Sequence, residues 1–274
     1  LASYQKLFLQ VLSINDLSDE VLMAFTSMEH KGFSKHFLDS GQTVYTILAD
    51  YQKNLLLETL IRGAREATEK KSKNSKKTQI VKGLQQTNTK GENILYIATY
   101  DIDYWLVNIL CKELSAELAT TLFTQRTKKG LTAFDLAILS KQIYTIRAIG
   151  LRATQLKAFK ASVIPSTQKG FVELLDQYTT APSIDKYVSL HSAINKLGAE
   201  EIFKMNLSDH HNLLIMMHFL PKEDSSKQIL KECLASPGLT FRHEMLRYTL
   251  TISPYREQVD LLSLDPFYYT DKQL

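Results

Sequence analysis

The residues with the widest chemical range in this 274-residue chain are seven histidines and two cysteines. His210, His211 and His218 lie close together in HHNLLIMMHFL, but no two of them stand four residues apart, the spacing that puts two zinc ligands on one helix face. No HExxH, CxxC or Cys/His cluster accompanies them, so the sequence predicts no metal site. Cys111 in VNILC and Cys233 in QILKECL each sit in an apolar helical pattern, which reads as a buried free thiol in a reducing compartment. Cys233 can be paired on paper with a distant histidine as nucleophile and base. It lacks the neighbouring glycine turn and the oxyanion donors that such chemistry requires. Phosphate-binding loops, GxGxxG, GxSxG and HRD-type catalytic loops are absent as well. Neither a catalytic residue nor a cofactor is therefore expected.

The remaining chemistry is that of recognition. Trp105, the only tryptophan, stands beside Tyr100 and Tyr104, with Asp101 and Asp103 interleaved. Large amphipathic rings with an acidic rim are the composition of an interface anchor. Two readings of the rings remain open, a solvent-facing anchor and a locally buried aromatic cluster.

The elements that must position these residues repeat. Gly91 to Cys111, GENILYIATYDIDYWLVNILC, and Gly130 to Gly150, GLTAFDLAILSKQIYTIRAIG, share one template. A glycine opens each, and Asn93 or Thr132 follows two residues on. Then come an apolar pair (Leu95 and Ile97, Phe134 and Leu136), an alanine (Ala98, Ala137) and a second apolar helix. Thr132 can cap a helix, with Asp135 three residues on completing a capping box, and the small alanine lets a neighbouring helix pack closely.

This template resembles the ankyrin repeat, GxTPLHLAAxxGHxEIVxLLL, whose fold is two antiparallel helices joined by a tight turn. The resemblance implies an all-α solenoid of about five stacked helix pairs with helical caps. It places Leu95, Ile97, Ala98, Val107 and Leu110 on buried faces and Trp105 where an exposed Glu usually stands. It puts residues 87–90 and 127–129, including Lys128 and Lys129, on protruding finger loops. His191, in LHSA, falls at the LH position, where the imidazole ties a turn together by hydrogen bonds.

The implied organisation is a helical cap over 1–40 and repeats over 41–150 with a Lys-rich insertion at 69–83. Divergent repeats and C-terminal helices follow over 151–252, with a tail over 253–274. Gly41 to Ile61 is the first repeat, 50 residues before Gly91 against the usual ankyrin period of about 33, and the insertion takes up the excess. Val188 to Phe203 reads as a divergent fourth repeat, Asn212 stands where a further template has Thr or Asn, and Gly238 and Thr240 open a last, worn one.

Composition bounds these readings. Ten glycines and six prolines are few for this length and favour long helices over a turn-rich β-sandwich. The formal net charge is +4, yet Lys70, Lys71, Lys73, Lys76, Lys77 and Lys82 lie in one run. Without those six charges it becomes −2, so no broad basic face for nucleic acid is indicated. The run itself reads either as a localisation or anionic-surface patch or as a solvated loop. The longest apolar run, Leu213 to Leu220, is far short of the roughly 20 residues of a membrane span. The chain opens on Leu1 without a signal-peptide pattern and reads as a fragment of a longer protein, with room for another domain in its flanks.

The expected function is protein binding by a monomeric module, through finger tips and first-helix surfaces, with Trp105 and Tyr104 as anchors and Tyr100, Asp101, Asp103, Lys128 and Lys129 around them. The uneven, Lys-, Tyr- and Asn-rich repeats resemble those of ankyrin-repeat effectors of intracellular bacteria such as Legionella. That implies delivery into a host cytosol and a host-protein partner. The alternative is an enzyme domain with its active site in the divergent C-terminal half, marked by a deep polar pocket instead of a concave groove.

Overall fold

The computed structural model describes Gln10, residues 44–51, 53–69, 81, 83–161, 164, 165, 167–198 and ten positions between 201 and 219. The expected N-terminal cap apart from Gln10, nearly all of the Lys-rich insertion, His210, Cys233, the worn last repeat and the tail lie outside the described residues. Among those described, the regular structure is entirely helical and no strand occurs. The helices are α1 (Val44–Asp50), α2 (Asn54–Glu69), α3 (Ile94–Tyr100), α4 (Tyr104–Glu113), α5 (Ala116–Thr124), α6 (Ala133–Leu139), α7 (Ile143–Thr154), α8 (Gln168–Thr180) and α9 (Ile184–Leu197).

A 39-residue period governs residues 88–149 in detail. The Asn93 side chain accepts from Tyr96 N at the start of α3, and the Thr132 side chain accepts from Asp135 N at the start of α6. At Thr132 the Asp135 carboxylate reaches back to the cap N–H, closing the capping box that the sequence predicts. Both helices end in the same closure. Asp103 N bonds Ala98 O, and Gln142 N bonds Ala137 O, each across six residues and each at 2.9 Å. Lys53 N bonds Leu48 O at 3.0 Å in the same way, so α1 ends as α3 and α6 do. This closure sends the chain straight back as the second helix of a pair.

The pairs α1/α2, α3/α4 and α6/α7 stack in two layers, with α1, α3 and α6 in contact in one and α2, α4 and α7 in the other. Between them lie Leu48, Leu56, Leu95, Leu106, Leu110, Phe134 and Ile149, all at 1% exposure or less. Each fully buried side chain of this kind contributes about 1.5–3 kcal/mol. Ala98 and Ala137 are buried at the layer contacts, where a larger group would push the pairs apart. Gln142, itself buried, donates from Nε2 to Thr99 O at 2.8 Å and ties the end of α3 to the next pair.

Helix α5 is an addition that the template does not contain. Its face of Leu118, Ala119, Leu122 and Phe123 is buried, and Ser115 caps its start. Asn93 Nδ2 donates to Leu122 O at 2.9 Å and to Gln125 Oε1 at 2.8 Å, fastening the end of α5 to the start of α3.

The chain divides into two compact units, one of Leu1–Val163 and Gln177–Ser189, the other of Ile164–Asp176 and Leu190–Leu274, so that α8 and α9 each pass from one to the other. In the first unit the Tyr187 ring meets Phe134 edge-on at 6.1 Å and Tyr178 at 6.3 Å. The second buries Phe171, Leu175, Leu190, Ala193 and Ile202. Within α9 the structure departs from the sequence expectation. At 14 residues this helix is twice the length of α3 or α6, because Ser183 starts it five residues before Val188. His191 thus sits at mid-helix, not at the turn where the resemblance places it. Its Nδ1 instead meets Asn195 Nδ2 at 3.1 Å, one turn on.

Candidate functional site

Two finger loops precede α3 and α6. Asn88 N bonds Glu92 O, and Thr127 N bonds Leu131 O, both at 2.9 Å, while Gly91 and Gly130 turn the chain at φ of 78° and 79°. A Cβ on Gly91 would stand 3.1 Å from Thr127 Cα and Lys128 N, so this glycine lets the two fingers lie against each other. Lys128 N donates to Lys90 O at 2.9 Å across that contact.

Fingers and first helices enclose a half-open groove of about 860 Å³. At the finger end stand Lys90, Lys128 and Lys129 with Glu92, whose carboxylate is held by Asn88 Nδ2 at 2.7 Å. Tyr96 and Ile97 of α3 form the floor, and Tyr100, Asp101 and Asp50 lie where α1 and α3 end. The groove therefore gathers four of the expected site residues, Tyr100, Asp101, Lys128 and Lys129.

It does not gather the other three. Tyr104, Trp105 and Asp103 lie at the start of α4, on the edge where first helices turn into second ones. Asp103 caps α4, accepting from Leu106 N at 2.9 Å, so one of its oxygens is committed to the fold. The Tyr104 ring packs on Tyr144 of the next pair at 5.3 Å. Trp105 is 40% exposed and Tyr100 70% exposed, so these rings are not a buried cluster.

Between them is a residue that the sequence reading passed over. Ile102 adopts φ of 57°, in the left-handed region that β-branched residues avoid, and its side chain is 53% exposed. Such a conformation costs about 1–3 kcal/mol, and an exposed side chain recovers little of it by burial. Tyr51 and Leu55 at the first turn and Leu139 at the third are exposed as well.

Electrostatics mark two groups on the groove, Asp101 and Tyr96. Burial, and then the neighbouring Asp103 carboxylate, push the Asp101 carboxyl above its ordinary range. It closes the C-terminal end of α3, where the helix dipole also disfavours an anion. Burial raises the Tyr96 phenol too, helped by Glu92 and Tyr100. Burial pushes the Cys111 thiol up to about 12, which leaves it protonated and inert. In the second unit His211 Nε2 meets Asp176 Oδ1 at 3.0 Å. No group of three or more His, Cys, Asp or Glu among the described residues could hold a metal ion, and no described helix is long and apolar enough to cross a membrane.

Comparisons with protein-family models, with curated proteins and with solved structures found no match.

Proposed function

We propose that this chain is a protein-binding module of ankyrin type, acting through the finger groove and the apolar turn edge beside it. Supporting the ankyrin-type reading are the 39-residue period of caps and closures, the paired left-handed glycines at the fingers and the two-layer stacking of helix pairs. The observation that carries the binding role is Ile102. A β-branched residue held at positive φ with its side chain in solvent serves the free protein poorly, and Tyr100 and Trp105 lie exposed beside it. Apolar groups left wet together on an otherwise polar surface are what a partner desolvates. The likeness of the sequence to bacterial effectors extends the proposal to a host protein, met in the host cytosol by a monomeric chain.

The test is affinity capture from host-cell lysate with the whole chain and with its Trp105→Ala variant. A central aromatic anchor typically accounts for 2 kcal/mol or more of binding, roughly a 30-fold loss on truncation. Partners that bind both forms equally would overturn the assignment. Trp105, the only tryptophan, also reports directly: a red-shifted emission open to quenchers is expected in the free protein, and a blue-shifted, protected one would sink the site.

A further inference from the structure

The second finger covers the first, and among the described residues nothing covers the second. A Cβ on Gly91 would meet only backbone of the second finger, Lys128 N and Thr127 Cα at 3.1 Å and Arg126 O at 3.3 Å, and Lys128 N donates to Lys90 O at 2.9 Å. Gly130, 39 residues on, has the same conformation, φ of 79° against 78°, and the same turn bonds around it. A Cβ there would meet nothing within 4 Å. Lys129 O, the counterpart of Lys90 O, accepts no hydrogen bond among the described residues. The second finger therefore repeats the edge of the first without a third finger against it. The helices that follow do not supply one. Tyr187 of α9 packs on Phe134 of α6 at 6.1 Å, so α6 has a helix beyond it. A finger should lead into that helix as residues 88–92 lead into α3, but α8 ends at Thr180 and α9 begins at Ile184, which leaves too few residues to turn out and back.

What this edge takes follows from the contact it repeats. The groups seated on Gly91 are main-chain atoms, and the donor to Lys90 O is a main-chain N–H. A helix spends its N–H groups internally beyond the first turn, so a donor to Lys129 O comes from an extended segment. Charge narrows the choice further. Residues 126–131 carry Arg126, Lys128 and Lys129 and no acid. Arg126 faces Asp135 at 3.5 Å, whereas Lys128 and Lys129 form no ion pair among the described residues. The acids of the groove, Asp50, Glu92 and Asp101, belong to earlier elements, namely α1, the first finger and the end of α3, and Asn88 holds Glu92. Lysines guard a bare edge against indiscriminate pairing, and an acidic segment turns that guard into attraction.

We propose that the open edge of the second finger, Lys129 O beside Gly130, binds an extended acidic segment of a partner protein. A main-chain N–H of that segment donates to Lys129 O, and the α-carbon next to it lies against Gly130, as Lys128 N and Thr127 Cα do on the first finger. Carboxylates of the segment pair with Lys128 and Lys129. The inference rests on the protein-binding role proposed above and adds where the partner's chain lies and what it carries.

The experiment is selection of phage-displayed random peptides on the full chain, followed by fluorescence anisotropy with the enriched peptides and their N-methylated analogues. Acidic peptides should dominate the enriched set. Methylation of one particular backbone nitrogen should weaken binding roughly tenfold, the effect of one lost hydrogen bond. Gly130→Asn, a side chain that tolerates positive φ, should melt close to the parent and lose the peptide by roughly tenfold or more, because it fills the edge. Gly91→Asn meets the second finger and should melt lower. Lys128→Glu combined with Lys129→Glu should lose the acidic peptide and gain its counterpart with lysines in place of the acids. Should Gly130→Asn melt early, the methylation scan decides on the parent chain. Enriched peptides without acidic residues, affinities indifferent to methylation at every position or to a well-folded Gly130→Asn, or no enrichment at all, each overturn the inference. If partner capture still depends on Trp105 in that case, the binding role stands and only the edge falls. If Trp105→Ala loses no partner either, both fall together.

Discussion

Ile102 and Lys141 occupy one and the same left-handed turn, at φ of 57° and 54°, 39 residues apart in sequence. Each follows the C-cap of a first helix and precedes the cap of a second. Glycine is the residue this conformation prefers, and neither position has it. The pair therefore separates backbone strain from side-chain purpose. Replacing either by glycine relieves about 1–3 kcal/mol of strain and gives back roughly 0.5–1 kcal/mol in chain entropy. Both variants should unfold at a higher urea concentration than the parent. Only Ile102→Gly should also weaken partner capture. Equal binding losses in the two variants would mean that the turn, not the isoleucine, is recognised.

Asn93 and Thr132 are equivalent caps with unequal duties. Thr132→Ala removes a capping box and should destabilise the chain by about 0.5–2 kcal/mol. Asn93→Ala removes a cap and also strands the buried Leu122 carbonyl, adding about 1–3 kcal/mol. Equilibrium unfolding should rank Asn93→Ala as clearly the worse. The reverse order would show that α5 is not held through this side chain.

Gly150 lies within α7, directly beneath the ring of Tyr187, and a Cβ there would meet ring carbons at closer than contact distance. Alanine in a helix interior is intrinsically better than glycine by about 1 kcal/mol. Here overpacking against a buried ring, typically 1–3 kcal/mol, should outweigh that gain. Gly150→Ala should lower the melting temperature, and the double variant with Tyr187→Leu should recover part of the loss.

His191 supplies a dependence on pH. Burial lowers its pKa below the ordinary 6.5, so between those two values the unfolded chain binds the proton and the folded chain does not. Its contribution to stability is thus complete above about pH 6.5 and is lost as pH falls toward the folded value. Protonation would also turn Nδ1 into a donor facing the Asn195 amide. Urea midpoints of wild type and His191→Gln at pH 8 and pH 5.5 should converge or cross on the acid side. A constant difference between them would rule out this titration.

Much of the fold was legible because its signals are local. The capping box of Thr132 and Asp135 and the burial of Ala98 and Ala137 follow from spacings within one helix turn or one helix pair. Helix α5 was legible too, in Leu114, Leu118, Ala119, Leu122 and Phe123 behind a capping Ser115, but a template without a third helix hid it. The length of α9 was missed for a similar reason. The LHSA match drew the boundary, while the start signal was Ser183, which accepts from Lys186 N.

The sequence by itself determined which residues are small, which are caps and which are rings, since backbone sterics and helical period act over a few residues. Which of those residues meet was decided by stacking. Residues 90, 101 and 128 share one groove because α3 and two finger loops are pressed together by buried faces far apart in the chain. Tyr104 and Trp105, three and four residues beyond Asp101, lie outside the groove because the chain reverses at Ile102. Residue type and template position named the seven candidates together, and the turn between α3 and α4 divides Tyr100 and Asp101 from Asp103, Tyr104 and Trp105.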